Sequence, residues 1–205
     1  MQIRVTPGML LALCALAVAT GGCATIRTTD PPRTATEQFL LSGAAARAID
    51  QLSSESLRDR RIFLDTTYLG SSQTANEYAF LIGELRAKLL LSGIRLVPKR
   101  EEAQILVELR SGGLGIDRLE FLLGIPALYL PNATQSTVPV ATPELAIVKS
   151  TKQRGYASVA YVAYWADTGE VLAHSGPFIG RTVREDWWIF GTGPRTVGNI
   201  PPAEN

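Results

Sequence analysis

The stretch YASVAYVAYWADTGEVLAHSG, from Tyr156 to Gly176, decides the fold because it predicts two neighbouring antiparallel strands. Its first half is rich in β-branched and aromatic residues and contains no residue that breaks a strand. Asp167, Thr168 and Gly169 then form a tight connection, since glycine takes the positive φ that a short turn requires. The second half, EVLAHSG, pairs back on the first as a β-hairpin.

A β-α-β-β pattern precedes this hairpin and covers Arg61 to Arg110. Its strands are RIFLDTTYL, IRLV and QILVELR, and its helix runs from about Thr74 to Leu91 with apolar residues at helical spacing. An earlier helix begins at a capping box formed by Thr34 and Glu37, whose side chains satisfy free backbone amides. The sequence therefore predicts an α+β fold: a mostly antiparallel sheet with a βαββ core and helices packed on one face.

Residues 1–22 are typical of a signal peptide. Arg4 supplies the positive charge at its start, and Met9 to Ala19 is an uncharged apolar run. That run has the length of a signal-peptide hydrophobic region, roughly 7–15 residues, whereas a membrane-spanning helix needs about 20. We therefore expect an exported protein without a spanning anchor.

The string TGGC, which ends at Cys23, resembles a bacterial lipobox, in which small residues precede a cysteine that receives a diacylglycerol. Thr20 departs from the Leu-like residue usual at the first position. Cleavage after Ala19, which would give a plain secreted protein, is the alternative. Lipidation of Cys23 would anchor the chain in a membrane through its acyl chains. Because Ala24 is not the aspartate associated with inner-membrane retention, we expect the outer membrane, facing the periplasm.

The remaining chain divides into three parts. Residues 23–33 combine the lipidated cysteine with a polar, proline-containing flexible tether. Residues 34–194 form a single α+β domain. Residues 195–205 are rich in proline and asparagine and are predicted to be a disordered tail.

Charge and composition exclude several classes of function. The formal net charge is +1, and loss of Arg4 with the signal peptide brings it to zero, so no long-range field would attract nucleic acid. Both cysteines lie at or before the cleavage site, and the chain contains one histidine. We therefore expect no nucleic-acid partner, no metal site and no cofactor.

No residue pattern predicts a catalytic site. His174 is the single histidine, and it is followed by Ser175. Neighbouring side chains on a strand point to opposite faces, so these two cannot exchange a proton. A non-enzymatic protein is the main prediction. The alternative is a secreted or periplasmic hydrolase in which His174 meets a distant serine and carboxylate.

Two segments are candidates for partner binding. The apolar stretch Leu119–Leu130 is interrupted by glycine and proline, so it either folds back over the sheet or exposes its large side chains to a partner or to lipid. In DWWIFGTGP, adjacent tryptophans on an extended backbone face opposite ways and either close the core or form a stacking surface. The candidate binding residues are Phe121, Leu122, Tyr129, Trp187 and Trp188, for an unidentified protein partner or for self-association.

The strings FLDTTYL, GIDRLEFLLGIPALYLP, TPELA, AYWADTGEVL and DWWIFGTGP resemble a family of exported bacterial lipoproteins of unknown function. The resemblance covers Thr34 to Pro194 and implies an envelope location but no activity. ELRAKLLLSGIRLVPKREEAQILVEL is similar, at the level of fold, to lipoproteins of the curli secretion channel and of the lipopolysaccharide translocon. We therefore expect a cell-envelope lipoprotein that acts as a membrane-tethered interaction or assembly module. A subunit of an oligomeric secretion complex is a further alternative.

Overall fold

The computed structural model describes residues 33–69, 75–127, 129–130, 140–141 and 143–200. From Arg33 onward the chain forms one compact unit. The predicted signal peptide, the lipidated Cys23 and all of the tether except Arg33 lie outside the described residues.

The described residues contain two long helices and eight strands. Helix α1 spans Ala35–Asp50 and begins at the predicted capping box, in which the Thr34 hydroxyl accepts from the Glu37 amide. Helix α2 spans Ala75–Leu91. The strands are β1 (Arg61–Asp65), β2 (Arg95–Leu96), β3 (Ile105–Ile125), β4 (Tyr129–Leu130), β5 (Val140–Ala141), β6 (Leu145–Trp165), β7 (Val171–Ile189) and β8 (Thr192–Gly198).

Six strands form a mixed sheet in the order β2-β1-β3-β6-β7-β8, and β4 pairs with β5 separately. β1 runs parallel to both β2 and β3, whereas the other pairs are antiparallel. The prediction of an α+β fold with a mostly antiparallel sheet was therefore wrong. The reason is the crossover: β1 continues through α2 before β2 begins, and strands joined through a helix run parallel.

Strand β3 is much longer than predicted, because it continues past Arg110 to Ile125. Its partner β6 begins at Leu145, not at Tyr156, and the two remain paired over their full length. A shift in register between Ser111 and Gly113 absorbs one extra residue. The prediction that glycine and proline interrupt the stretch Leu119–Leu130 was therefore wrong for residues 119–125, which continue β3, and residues 129–130 form β4. The period-two alternation of Leu119, Phe121 and Leu123 was the overlooked strand pattern.

Strand β8 corrects the predicted tail. Residues 195–198, placed in that tail from composition, pair with β7 in register, for example Trp187 with Arg195. An antiparallel partner satisfies backbone groups whatever the local composition, so an exposed and polar strand can follow a tight turn. Residues 201–205 lie outside the described part of the chain.

Both helices pack on one face of the sheet, which we call the helix face. Their apolar residues share a single core with alternate residues of β1, β3 and β6. The fully buried side chains of this core include Leu40, Ile49, Leu81, Leu85, Ile62, Ile105, Val107, Leu109 and Val159.

Two glycines allow α1 to lie directly on the sheet. A Cβ atom added to Gly180 of β7 would overlap the carbonyl oxygen of Ala44, and one added to Gly155 of β6 would overlap that of Leu40. The hydroxyl of Thr182 lies between these positions and donates to the Leu40 carbonyl at 2.6 Å. The helix backbone therefore contacts the sheet backbone with no side chain between them.

Polar contacts fix the C-terminal part of α1. In its last turn, the guanidinium of Arg47 donates to the Arg181 carbonyl and, at 3.1 Å, to the Asn199 carbonyl. At its C-terminus, the ammonium of Lys88 donates to two carbonyls at 2.7 Å, those of Ile49 and Asp50. A cation at this position also interacts favourably with the helix dipole. Burial lowers the pKa of Lys88, and the Asp50 carboxylate opposes that shift.

Replacing Gly180 with alanine tests the close contact. Because the added methyl group overlaps the Ala44 carbonyl, α1 must move away from the sheet. Overpacking of this kind costs about 1–3 kcal/mol of the free energy of unfolding. We expect urea denaturation to show this loss. Gly113→Ala is the matched control, since a Cβ atom there meets nothing within 4 Å and its change should stay within roughly 0.5 kcal/mol. Equal stability of the two variants would contradict the account.

The carboxylate of Asp65, at the end of β1, predicts a dependence of stability on pH. Hydrogen bonds from the Thr67 hydroxyl at 2.6 Å and the Thr67 amide at 3.0 Å lower its pKa below the ordinary value of 3.8, and Arg100 adds a smaller effect. A lowered pKa in the folded state stabilises the fold above pH 3.8, and this stabilisation is lost as the pH falls through the lower, folded value. The free-energy difference between the native protein and Asp65→Asn should therefore be constant at neutral pH and shrink in acid. A constant difference down to pH 2 would contradict this assignment.

Candidate interaction surface

The helices are too short to cover the long strands. β3 and β6 have 21 residues each, so each extends about 69 Å at 3.3 Å per residue. α1 has 16 residues and is about 24 Å long at 1.5 Å per residue. Part of the helix face therefore extends beyond the helices, and the opposite face of the sheet, which we call the open face, carries neither α1 nor α2.

Register brings two of the predicted binding residues together on the open face. Ser150 of β6 pairs with Phe121 of β3 on one side and with Trp187 of β7 on the other. Gly155 faces α1. Ser150 lies five residues before Gly155 in β6, and no register shift occurs between them, so the two residues face opposite sides of the sheet. Ser150 and its two partners therefore face away from the helices.

Apolar side chains continue in the rows on both sides of this one. Leu123 and Ile189 flank Val148 in the next row, and Leu119 lies in the row on the other side. The five large side chains are between 36% and 62% exposed. We call this set the apolar stripe: Leu119, Phe121, Leu123, Trp187 and Ile189.

An ion pair borders the stripe. The Lys152 ammonium lies 2.8 Å from the Glu185 carboxylate, across neighbouring strands in the same row as Leu119. Both side chains are partly buried. The polar border of the stripe therefore contributes no net charge at this point.

Leu122 and Trp188, two further predicted binding residues, lie on the helix face, where Lys149 separates them. Trp188 lines a groove of about 670 Å³ beyond the helices. Two ion pairs lie at this groove: Lys149 with Glu144 at 2.9 Å, and Arg118 with Glu120 at 2.6 Å. The groove is lined by Arg118, Glu144, Leu145, Ala146, Ile147, Lys149, Thr151, Trp188, Phe190 and Gly191. The adjacent residues Trp187 and Trp188 therefore lie on opposite faces of the sheet.

The turn between β7 and β8 presents an aromatic side chain that sequence reasoning missed. Phe190 and Gly191 have φ of 49° and 75°, and the flanking Ile189 and Thr192 are paired. Positive φ at both residues is characteristic of a type I′ turn, which favours Asn-Gly. The Phe190 amide donates to the Ile147 carbonyl at 2.8 Å, yet its side chain is 77% exposed. The sequence pattern that could have identified this residue is Phe-Gly at a two-residue turn that usually contains Asn-Gly.

The turn belongs to an apolar end of the sheet, where β3 ends and β6 begins. Ile125 pairs with Leu145 there, and Ile147 lies beside the turn. We call Ile125, Leu145, Ile147 and Phe190 the apolar tip; all four are exposed. Tyr129 lies in β4, and its side chain is outside the described part of the structure.

A partly buried polar cluster joins α1 to β7 and β8. The guanidinium of Arg184 donates to the Asp186 carboxylate at 3.0 Å and to the Thr36 hydroxyl at 3.3 Å. The Thr196 hydroxyl donates to the same carboxylate. These groups satisfy one another, so the cluster fixes the first turn of α1 against the sheet.

His174 and Ser175 lie on opposite faces of β7. The Ser175 hydroxyl is buried and accepts from the Ser53 amide at 3.0 Å, whereas His174 is exposed on the open face beside Val162. Among the described residues, none forms a hydrogen bond or ion pair with the His174 side chain. The described part of the chain also contains no group of three or more residues placed to hold a metal ion.

No helix in the described ranges has the length and apolar composition needed to cross a membrane.

A comparison with curated proteins gives no match. A sequence model described as "Family of unknown function (DUF6655)" matches residues 17–203, which include every helix and strand of the fold. This agrees with the resemblance to an uncharacterised family, while the lipoprotein assignment stays a prediction. The chain therefore belongs to this family of unknown function, DUF6655.

Proposed function

We propose that this protein is a non-enzymatic, lipid-anchored protein of the cell envelope that acts as an interaction module. Cys23 carries the anchor and holds the folded unit at the outer membrane, facing the periplasm. The observation that supports this proposal best is the apolar stripe on the open face of the sheet. Contiguous exposed apolar surface on a soluble domain commonly marks an interaction site.

The arrangement of the stripe is that of the centre of a protein interface. Such interfaces have an apolar centre rich in aromatic residues and a polar border. Phe121 and Trp187 lie at the centre, and Lys152 with Glu185 lies at the border. Aromatic residues at the centre of an interface supply much of its binding energy.

A second copy of the chain is the occupant that these features favour. The Lys152–Glu185 pair neutralises its own charges, so two stripes can approach without repulsion at that point. A two-fold axis along the strands presents the same stripe to each copy and keeps both copies in one orientation. Two chains anchored in one membrane need that common orientation. Face-to-face packing of sheets is a standard way of covering an apolar sheet face. The proposal thus agrees with a subunit of an oligomeric envelope assembly.

The anchor is tested by replacing Cys23 with alanine and fractionating cells. The variant should leave the membrane fraction, because it has lost the thiol that accepts the acyl chains. Cys14→Ala is the matched control, since Cys14 lies within the apolar run and does not fit a lipobox. It should stay in the membrane fraction. If Cys23→Ala also stays there, the anchor is not at Cys23.

Self-association is tested by Phe121→Ser and Trp187→Ser in the full chain, purified in detergent and measured by light scattering. A large side chain at the centre of an interface contributes about 2 kcal/mol or more, which corresponds to roughly 25-fold or more in Kd. We expect the dimer to weaken by this amount while the thermal midpoint changes little. Ile179→Ser is the matched control, because Ile179 lies on the open face and is as exposed as Phe121 but is outside the stripe. A parent chain that is monomeric, or variants that dimerise normally, would exclude the second copy as occupant.

A further inference from the structure

We infer that the apolar tip inserts into the lipid interface of the membrane that carries the anchor, and thereby sets the orientation of the folded unit. This inference rests on the proposed anchor at Cys23 but concerns a different surface from the stripe. The tip consists of Ile125, Leu145, Ile147 and Phe190, at one end of the sheet. Their side chains are between 47% and 77% exposed, so they form an exposed apolar end of the sheet.

The stability of the turn does not explain why position 190 is a phenylalanine. Its φ of 49° is unfavourable for a bulky side chain, and asparagine or glycine would suit the turn better. Its side chain is the most exposed of the four, so packing within the chain does not compensate for this conformation. A residue held in a sparsely populated conformation against local preference points to a role outside the fold.

The length of the tether allows the tip to reach the membrane that carries the anchor. The first turn of α1 is held to β7 where Arg184 donates to Thr36, and Arg184 pairs with Gln153 of β6. From Gln153 to Leu145, at the tip, β6 extends about 26 Å. The tether from Cys23 to the start of α1 spans at most about 35–40 Å when extended. The tether is therefore long enough for the tip to reach the membrane surface.

Size and charge favour lipid over protein at this surface. Four side chains cover far less than the roughly 800 Å² that each partner of a stable protein complex buries. Shallow insertion of a few apolar groups needs no such area, because the acyl chains already supply the attachment. Lys149 and Arg118, which line the groove beside the tip, are paired with carboxylates at 2.9 Å and 2.6 Å. We therefore expect insertion that depends little on salt or on the charge of the lipid.

The test uses one fluorescent label on the full lipidated chain. In that chain Cys23 is blocked by its acyl group and Cys14 has left with the signal peptide, so an introduced cysteine is the single free thiol. Phe190→Cys reports the tip. Val171→Cys is the matched control, because Val171 is exposed at the opposite end of β7. Each protein is reconstituted into phosphatidylcholine vesicles and, separately, into vesicles that also contain phosphatidylglycerol, and is then floated on a density gradient.

The expected result is that spin-labelled lipid quenches the label at position 190 and aqueous iodide does not, with the opposite pattern at position 171. Both vesicle compositions should give the same result. If the floated protein shows equal iodide quenching at the two positions, the tip is in water and this inference fails while the anchor stands. If the protein does not float, the anchor itself fails and the inference fails with it.

A second variant separates insertion from folding. Phe190→Asn suits the positive φ of the turn, so the thermal midpoint should be unchanged or higher. When the label is carried by Leu145→Cys instead, adding Phe190→Asn should reduce the quenching of that label by spin-labelled lipid. The reason is that Phe190→Asn removes the most exposed apolar group of the tip. Unchanged quenching at Leu145→Cys would show that Phe190 does not contribute to insertion, and would overturn its assigned role.

Discussion

The close contact between α1 and the strand pair β6–β7 is the constraint on which the rest of the structure depends. Gly155 and Gly180 lack the side chains that would separate helix and sheet, so the carbonyls of Leu40 and Ala44 lie against the strands. This short separation brings the small residues of α1 into the core and lets the Thr182 hydroxyl reach a helix carbonyl. Because α1 also contacts α2, the same contact positions the second helix on the same face.

A single short helix layer on a long sheet explains both exposed apolar surfaces. The strands extend roughly 45 Å further than α1 does, so the layer leaves the open face and one end of the sheet uncovered. Apolar side chains nevertheless continue along these parts, in the stripe and in the tip. A two-fold axis along the strands would bring two stripes together and direct both tips to the same side. The proposed self-association and membrane contact are therefore geometrically compatible on one anchored protein.

Sequence patterns predicted the elements better than their arrangement. The capping box at Thr34, both helices and the hairpin after Tyr156 follow from local chemistry and were found. The mixed sheet was missed because strand order is a non-local property, although the helix between β1 and β2 already favoured parallel pairing. The strand from Leu119 to Ile125 was missed because Gly124 and the prolines that follow outweighed its alternation. Phe121 and Trp187 were identified singly, but their common row on the open face depends on a register shift near Gly113 that the sequence does not reveal.

The central claim is that the open face of the membrane-anchored protein meets a second copy. Oxidative cross-linking in intact membranes tests it most directly, with a single cysteine introduced as Val148→Cys, between Leu123 and Ile189 on the open face, and, for comparison, as Arg154→Cys, three rows further from the apolar tip on the same face. A stripe-centred contact predicts a covalent dimer in high yield for Val148→Cys, and a loss of that dimer when Trp187→Ser is added. A chain that stays monomeric with cysteine at position 148, or that cross-links through Val148→Cys regardless of Trp187, would contradict the account.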